Sequence, residues 1–168
     1  MPAPLRPLVV TLALPDDVQS ELDALRRRWF PSGRTAVGAH LTLFHAVPGE
    51  LEDQVRADLA EAVERGPVAV RLSGVMSLGK GAAYAVESPD LARRHDTLQR
   101  AWWPHLTRQD QQRLRAHVTL QNKVEPAVAR ATVESLRAEF RPADVEAPGF
   151  DLWRYDGGPW THLARFAG

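Results

Sequence analysis

Five residues recur almost unchanged in this chain. Ala39-His40-Leu41-Thr42-Leu43 and Ala116-His117-Val118-Thr119-Leu120 differ only at Leu41 against Val118 and lie 77 positions apart. With six His and 14 Ser plus Thr in 168 residues, chance supplies about 0.2 copies of His-x-Ser/Thr-apolar at ordinary apolar content. Two copies with matching flanks point to a duplicated unit.

The spacing has a geometric meaning. Side chains alternate faces along a β-strand, so His and Thr at i and i+2 share a face, their Cα atoms roughly 6.5–7 Å apart. Leu41, Leu43, Val118 and Leu120 then point into a core. Two such strands lining one groove present two imidazoles and two hydroxyls to a common point.

The flanking pattern is that of an α+β chain. Leu8 to Leu14 reads as a strand stopped by Pro15, and Asp16-Asp17 open a helix through Val18, Leu22, Leu25 and Trp29 that ends at Pro31-Ser32-Gly33. After the first motif, Pro48-Gly49 closes the strand and Glu50 to Arg65 reads as an amphipathic helix stopped by Gly66-Pro67. Val68 to Leu78 and Ala82 to Glu87 form a hairpin around Gly79-Lys80-Gly81. Pro89 opens a helix through Trp102 that ends near Pro104, and the polar span Thr107 to Arg115 leads to the second motif. A helix from Pro126 to Phe140 follows, closed by Pro142, and Gly149 to Tyr155 and Trp160 to Phe166 flank a turn at Asp156-Gly157-Gly158-Pro159. Each motif thus has a helix before it and a helix and hairpin after it. The expectation is a single two-lobed domain over residues 1–168, with no linker.

Composition narrows the partners. Lys plus Arg and Asp plus Glu balance at 21 each, so no overall field draws the chain onto nucleic acid or membrane. The balance argues against a binder of long polyanions and is compatible with a small anionic group caught at one site. There is no Cys, which removes disulfides, thiolate chemistry and cysteine zinc sites. The apolar run from Leu8 to Leu14 is too short for a signal peptide or a membrane span. The expectation is a cytoplasmic monomer with no membrane and no obligate protein partner.

Paired imidazoles suit acid–base chemistry: an unperturbed His titrates near ~6.5, so one ring can take a proton while the other gives one at neutral pH. Hydroxyls at Thr42 and Thr119 can donate to an anion held between them. Such a pair calls for no metal or other cofactor.

With Leu78-Gly79-Lys80-Gly81-Ala82-Ala83-Tyr84, Leu106-Thr107-Arg108-Gln109-Asp110, His117 to Val124 and Leu152-Trp153-Arg154-Tyr155, the paired motif resembles one branch of the two-histidine (2H) phosphoesterase superfamily. That branch holds the 2′-5′ RNA ligases and 2′,3′-cyclic phosphodiesterases. The resemblance implies a bilobal, LigT-like fold in which two antiparallel sheets face a central cleft, helices packed outside. It implies that His40 and His117 are acid and base, that Thr42 and Thr119 bind phosphate, and that no metal takes part. The activity this implies is opening of 2′,3′-cyclic phosphates on an RNA end or a small cyclic nucleotide, one proton taken from water and one given to the leaving oxygen, with reversible 2′-5′ ligation when an RNA 5′-hydroxyl replaces water. His117 is taken as the base and His40 as the acid. The chain lacks the strongly basic surface of many relatives.

Other residues are read with their plainer alternatives beside them. Phe44 and Gln121 sit four after the motif histidines and, in a regular strand, continue the cleft face. Phe44 then stacks on a base or merely packs, and Gln121 binds phosphate or sugar. Arg115, two before His117, pairs with phosphate or is an exposed edge residue. Tyr84 is a candidate for the substrate pocket. Trp153 and Tyr155 share a strand face that forms a nucleobase wall or packs. Lys80 and Lys123 read as solvent charges, and His45, on the face opposite His40 in a regular strand, has no role; nor do His105 and His162.

Two competing readings remain. His95-Asp96 resembles the metal-holding pair of HD phosphohydrolases, but those need further ligands on separate helices of an all-α fold. The pair reads instead as a helix-surface feature beside Arg93 and Arg94. From another class, the chain is a nucleotide- or RNA-binding module that keeps the groove without turnover.

Overall fold

The computed structural model describes residues 3–31 and 37–168. Ser32 and Gly33 of the first expected helix stop lie outside the described residues. In chain order the elements are β1 (Leu8–Ala13), α1 (Asp16–Trp29), β2 (Thr42–Val47), α2 (Glu52–Ala62), β3 (Val68–Ser77), β4 (Ala82–Glu87), α3 (Pro89–Trp102), β5 (His117–Gln121), α4 (Pro126–Glu139), β6 (Ala143–Ala147), β7 (Gly149–Tyr155) and β8 (Trp160–Ala167). Short 3₁₀ turns at Gly49–Leu51 and Trp103–His105 fill the ends read from the sequence as α-helix.

Local chemistry explains the boundaries. Asp16 and Asp17 in the first turn of α1 and Arg26, Arg27 and Arg28 in its last oppose the helix dipole. The Ser88 hydroxyl caps α3 by accepting from Leu91 N at 2.9 Å, and Pro89 fills the first turn where an N–H has no partner. Gly79 takes φ +82°, and a Cβ on Gly81 would sit 1.8 Å from the Gln121 carbonyl oxygen, so the β3–β4 turn needs both glycines.

Two four-stranded antiparallel sheets result, ordered β2-β1-β7-β8 and β5-β4-β3-β6, and they face a central cleft in an α+β fold. Strand β6, bounded by Pro142 and Pro148, has no counterpart in the sequence reading. It pairs with β3 along Val68 to Leu72 and buries only Val145 and Ala147. The hairpins are exchanged relative to the repeat. β7–β8, which follow the second motif, complete the sheet of the first, and β3–β4 belong to the sheet of the second.

The crossover helices exchange as well. Helix α1 joins β1 to β2 yet packs on β5 of the other sheet. Helix α3 joins β4 to β5 yet packs on β2, its His95 ring stacked on Phe44 at 4.7 Å and its Trp102 edge-on to Phe44 at 4.8 Å. Each motif strand is the edge of its sheet, and an unpaired edge invites foreign strands. Here Arg26 of α1 bonds the Thr119 carbonyl on β5, while on β2 Asp110 takes the His45 and Ala46 N–H groups and His95 of α3 meets the Leu43 carbonyl. Among the described residues no helix is long and apolar enough to cross a membrane.

Candidate active site

The two histidines are anchored identically. His40 Nδ1 lies 2.7 Å from the Gly38 carbonyl oxygen, and His117 Nδ1 lies 2.6 Å from that of Arg115. A carbonyl only accepts, so each Nδ1 carries the hydrogen and each neutral ring keeps its lone pair on Nε2. Thr42 and Thr119 stand on the same faces as their histidines: Thr42 pairs across β1 with Thr11, and Thr119 across β4 with Ala83.

His40 is held below the ordinary imidazole pKa, first by burial and then by the nearby Arg26, His45 and His117, against the effect of the Gly38 carbonyl. His117 thus lies within electrostatic reach of His40.

Both motif strands carry a β-bulge at the same place. Val10 pairs with Phe44 while Thr11 pairs with Thr42, leaving Leu43 extra; Ala82 pairs with Gln121 while Ala83 pairs with Thr119, leaving Leu120 extra. A bulge shifts every later side chain by one face. This corrects two expectations. Phe44, 0% exposed, turns inward against His95 and Trp102. Gln121, 2% exposed, turns toward α4 and donates to Thr132 Oγ1 at 2.8 Å. Neither faces the cleft. His45, in a second register shift between Phe44 and Val47, is exposed, and its Nδ1 meets Asp110 at 3.0 Å. Buried Asp110 also accepts from the main-chain N–H groups of His45 and Ala46, and these bonds hold its carboxyl below the usual range against the effect of burial.

Tyr84 is corrected too. It pairs with core residue Val118 and packs edge-on against Phe140 at 5.0 Å, on the helix side, while Ala83 and Ala85 take the motif face. Burial, with Glu21 and Glu139 nearby, raises its phenol pKa. Arg115 is exposed and contributes its carbonyl to His117. Trp153 lies on the cleft face, its Nε1–H bonded to Thr11 Oγ1 at 2.9 Å, while Tyr155 is exposed. His95 is buried rather than on the surface and meets the Leu43 carbonyl, whereas Asp96 pairs with Arg100. Among the described residues no three His, Cys, Asp or Glu side chains gather as metal ligands do.

Several contributors carried no sequence signal. From one face of α1, Gln19 Nε2 donates to the Ala39 carbonyl at 2.7 Å and Asp23 Oδ1 accepts from Ala39 N at 2.7 Å. One turn on, Arg26, 8% exposed, donates from NH1 to the Thr119 carbonyl at 2.8 Å, with Phe30 under its guanidinium at 4.2 Å. One helix thus clips the residue before His40 to the second motif. Trp160 is the other omission: its ring centroid lies 4.8 Å from that of His40.

The fold is shared with TT0787 of Thermus thermophilus, at 20% identity and TM-score 0.66 over 96% of this chain and 97% of that one. It is also shared with E. coli LigT complexed with 3′-AMP, at 19% identity and TM-score 0.68 over 98% of each chain. LigT complexed with NADP+ is similar at 18% identity and TM-score 0.66, again over 98% of each. No curated protein matches in sequence. A family model for the 2′-5′ RNA ligase superfamily matches residues 14–159, and with both motifs inside that span the chain belongs to the 2′-5′ RNA ligase superfamily, a family of two-histidine phosphoesterases.

Proposed function

We propose that this protein is a metal-independent RNA 2′,3′-cyclic phosphodiesterase that opens terminal cyclic phosphates by two-histidine acid/base catalysis, with reversible 2′-5′ RNA ligation by the same site. The observation that carries the reading is the matched pair of Nδ1–carbonyl anchors, which leave both Nε2 atoms available for proton transfer. Thr42 and Thr119 each stand two residues beyond an imidazole, suited to donate to the non-bridging oxygens.

The depressed pKa of His40 argues for a division of labour opposite to the one expected from sequence. A ring that stays neutral at neutral pH is in the form that can accept a proton. His40 Nε2 takes a proton from water as its oxygen attacks phosphorus, the P–O bond to one ribose oxygen breaks, and protonated His117 delivers the proton to that oxygen. With an RNA 5′-hydroxyl as nucleophile the same steps join two ends.

The test is hydrolysis of a nucleoside 2′,3′-cyclic phosphate in EDTA with product separation. The expected result is turnover that survives chelation and falls about 10²- to 10⁴-fold in His40→Ala or His117→Ala. Thr42→Ala and Thr119→Ala lose about 10- to 100-fold, the scale of one hydrogen bond to a charged group. Near-normal turnover in either histidine variant would overturn the assignment; binding without turnover in the intact protein would favour the non-catalytic module.

A further inference from the structure

The two motifs match, but their surroundings differ. Beside His117, the residues facing the cleft across β4 are Ala83 and Ala85, with Met76 next on β3. Beside His40 the sheet carries rings. Trp160 lies 4.8 Å from His40, Trp153 5.8 Å from Trp160, and His162 4.8 Å from Trp153, the last two contacts edge-on. The row follows from the register: Trp153 alternates with buried Leu152, and across the hairpin Trp153 pairs with His162 and Tyr155 with Trp160.

These rings do not serve the interior. Trp153 and Trp160 stay half-buried and lie outside the apolar core that takes in Trp102 and Phe150. They are nonetheless held firmly. Buried Thr11 accepts the Trp153 N–H. Buried Asp151 meets His162 Nε2 at 2.9 Å and accepts two bonds from Arg165, both 2.9 Å, fixing the imidazole against Trp153. An aromatic ring that is ordered in advance loses little freedom when it stacks on a planar ligand.

We propose that Trp153 and Trp160 form the binding site for the nucleobase of the nucleotide whose phosphate lies between the two imidazoles. This rests on the phosphodiester reading and deepens it in two ways. The substrate enters with one polarity, its base over β7 and β8 and its other ester group toward the alanine-lined sheet. The protein also selects phosphates that carry a base over sugar phosphates that do not, through stacking rather than through hydrogen bonds to particular base edges.

Calorimetric binding of adenosine 2′-monophosphate and of base-free 1-O-methylribose 2-phosphate tests it. The intact protein is expected to bind the base-bearing probe about 10- to 100-fold more tightly. Trp153→Ala and Trp160→Ala are each expected to weaken that probe about 5- to 100-fold, and Trp153→Ala, whose ring does not touch His40, to leave the base-free probe unchanged. Trp153→Phe, which keeps an aromatic face, should restore most of the loss, as a general folding defect would not. Equal affinity for the two probes in the intact protein, or a base preference untouched in both alanine variants, would overturn the proposal. Failure to open cyclic phosphates defeats the catalytic reading alone, because a base preference in binding is measured without turnover.

Discussion

At His40, burial and the nearby Arg26, His45 and His117 act in one direction, against the proton. The folded-state pKa therefore lies below the 6.5 of a free imidazole. His95 shifts the same way, chiefly by burial. As pH falls through about 6.5 the unfolded chain takes up protons that these two sites refuse, so their contribution to stability is complete above that pH and is lost toward the folded values. The thermal midpoint should drop between about pH 7 and 5, and less steeply in His95→Gln than in the parent. By the same sign, the acid limb of kcat/KM should fall below about pH 6.5 if His40 is the base; a limb above that value contradicts the role. Phe44 is an energetic rather than a binding residue. Phe44→Ala should cost about 3–5 kcal/mol in a denaturant melt, as for a large buried ring.

Among the elements, α1 and the paired bulges set the site. Gln19, Asp23 and Arg26 are spaced i, i+4, i+7 and so share one helix face; that face holds Ala39 with two residues and the Thr119 carbonyl with the third. Asp23→Ala should cost about 1–3 kcal/mol through the orphaned Ala39 N–H. It should also lower kcat more than it raises KM, since His40 is displaced without loss of a substrate contact; steady-state kinetics with an unchanged kcat would rule this out. Gly38→Ala should act in the same direction, because the added Cβ meets Asp23 Oδ1 at 2.9 Å. The bulges at Leu43 and Leu120 explain two differences at once. Period-2 reading from His40 and His117 holds through the Thr and fails at the next residue, so Phe44 and Gln121 land on faces opposite to those expected.

Across the whole molecule, sheet pairing is long-range. β1 is flanked by β2 and by β7, its Thr11 lying opposite Asp151. A chain cut after Pro148 would lose two of that sheet's four strands and expose Val10 and Leu12, both buried in the intact chain. It should show no cooperative melt, whereas a sharp transition near that of the full chain would mean the sheet does not depend on β7 and β8. The exchange of hairpins also ties the halves together, as do Arg26 of α1 on the β5 carbonyl of Thr119 and Asp110 on the β2 N–H groups of His45 and Ala46.

Local rules carried the sequence reading a long way. Apolar alternation, proline and glycine stops and the acidic first turn of α1 suffice to mark every strand but β6, whose five residues bury too few apolar groups to stand out. The repeat by itself named His40, Thr42, His117 and Thr119, because the i, i+2 spacing needs only an extended backbone. What lay beyond it were contacts between residues far apart in the chain: Arg26 on Thr119, Trp160 on His40, Asp110 on β2. Such contacts depend on which sheet a hairpin joins and on where a strand bulges. Both are settled by burial and hydrogen-bond satisfaction over the whole fold, and no stretch of sequence holds that information alone.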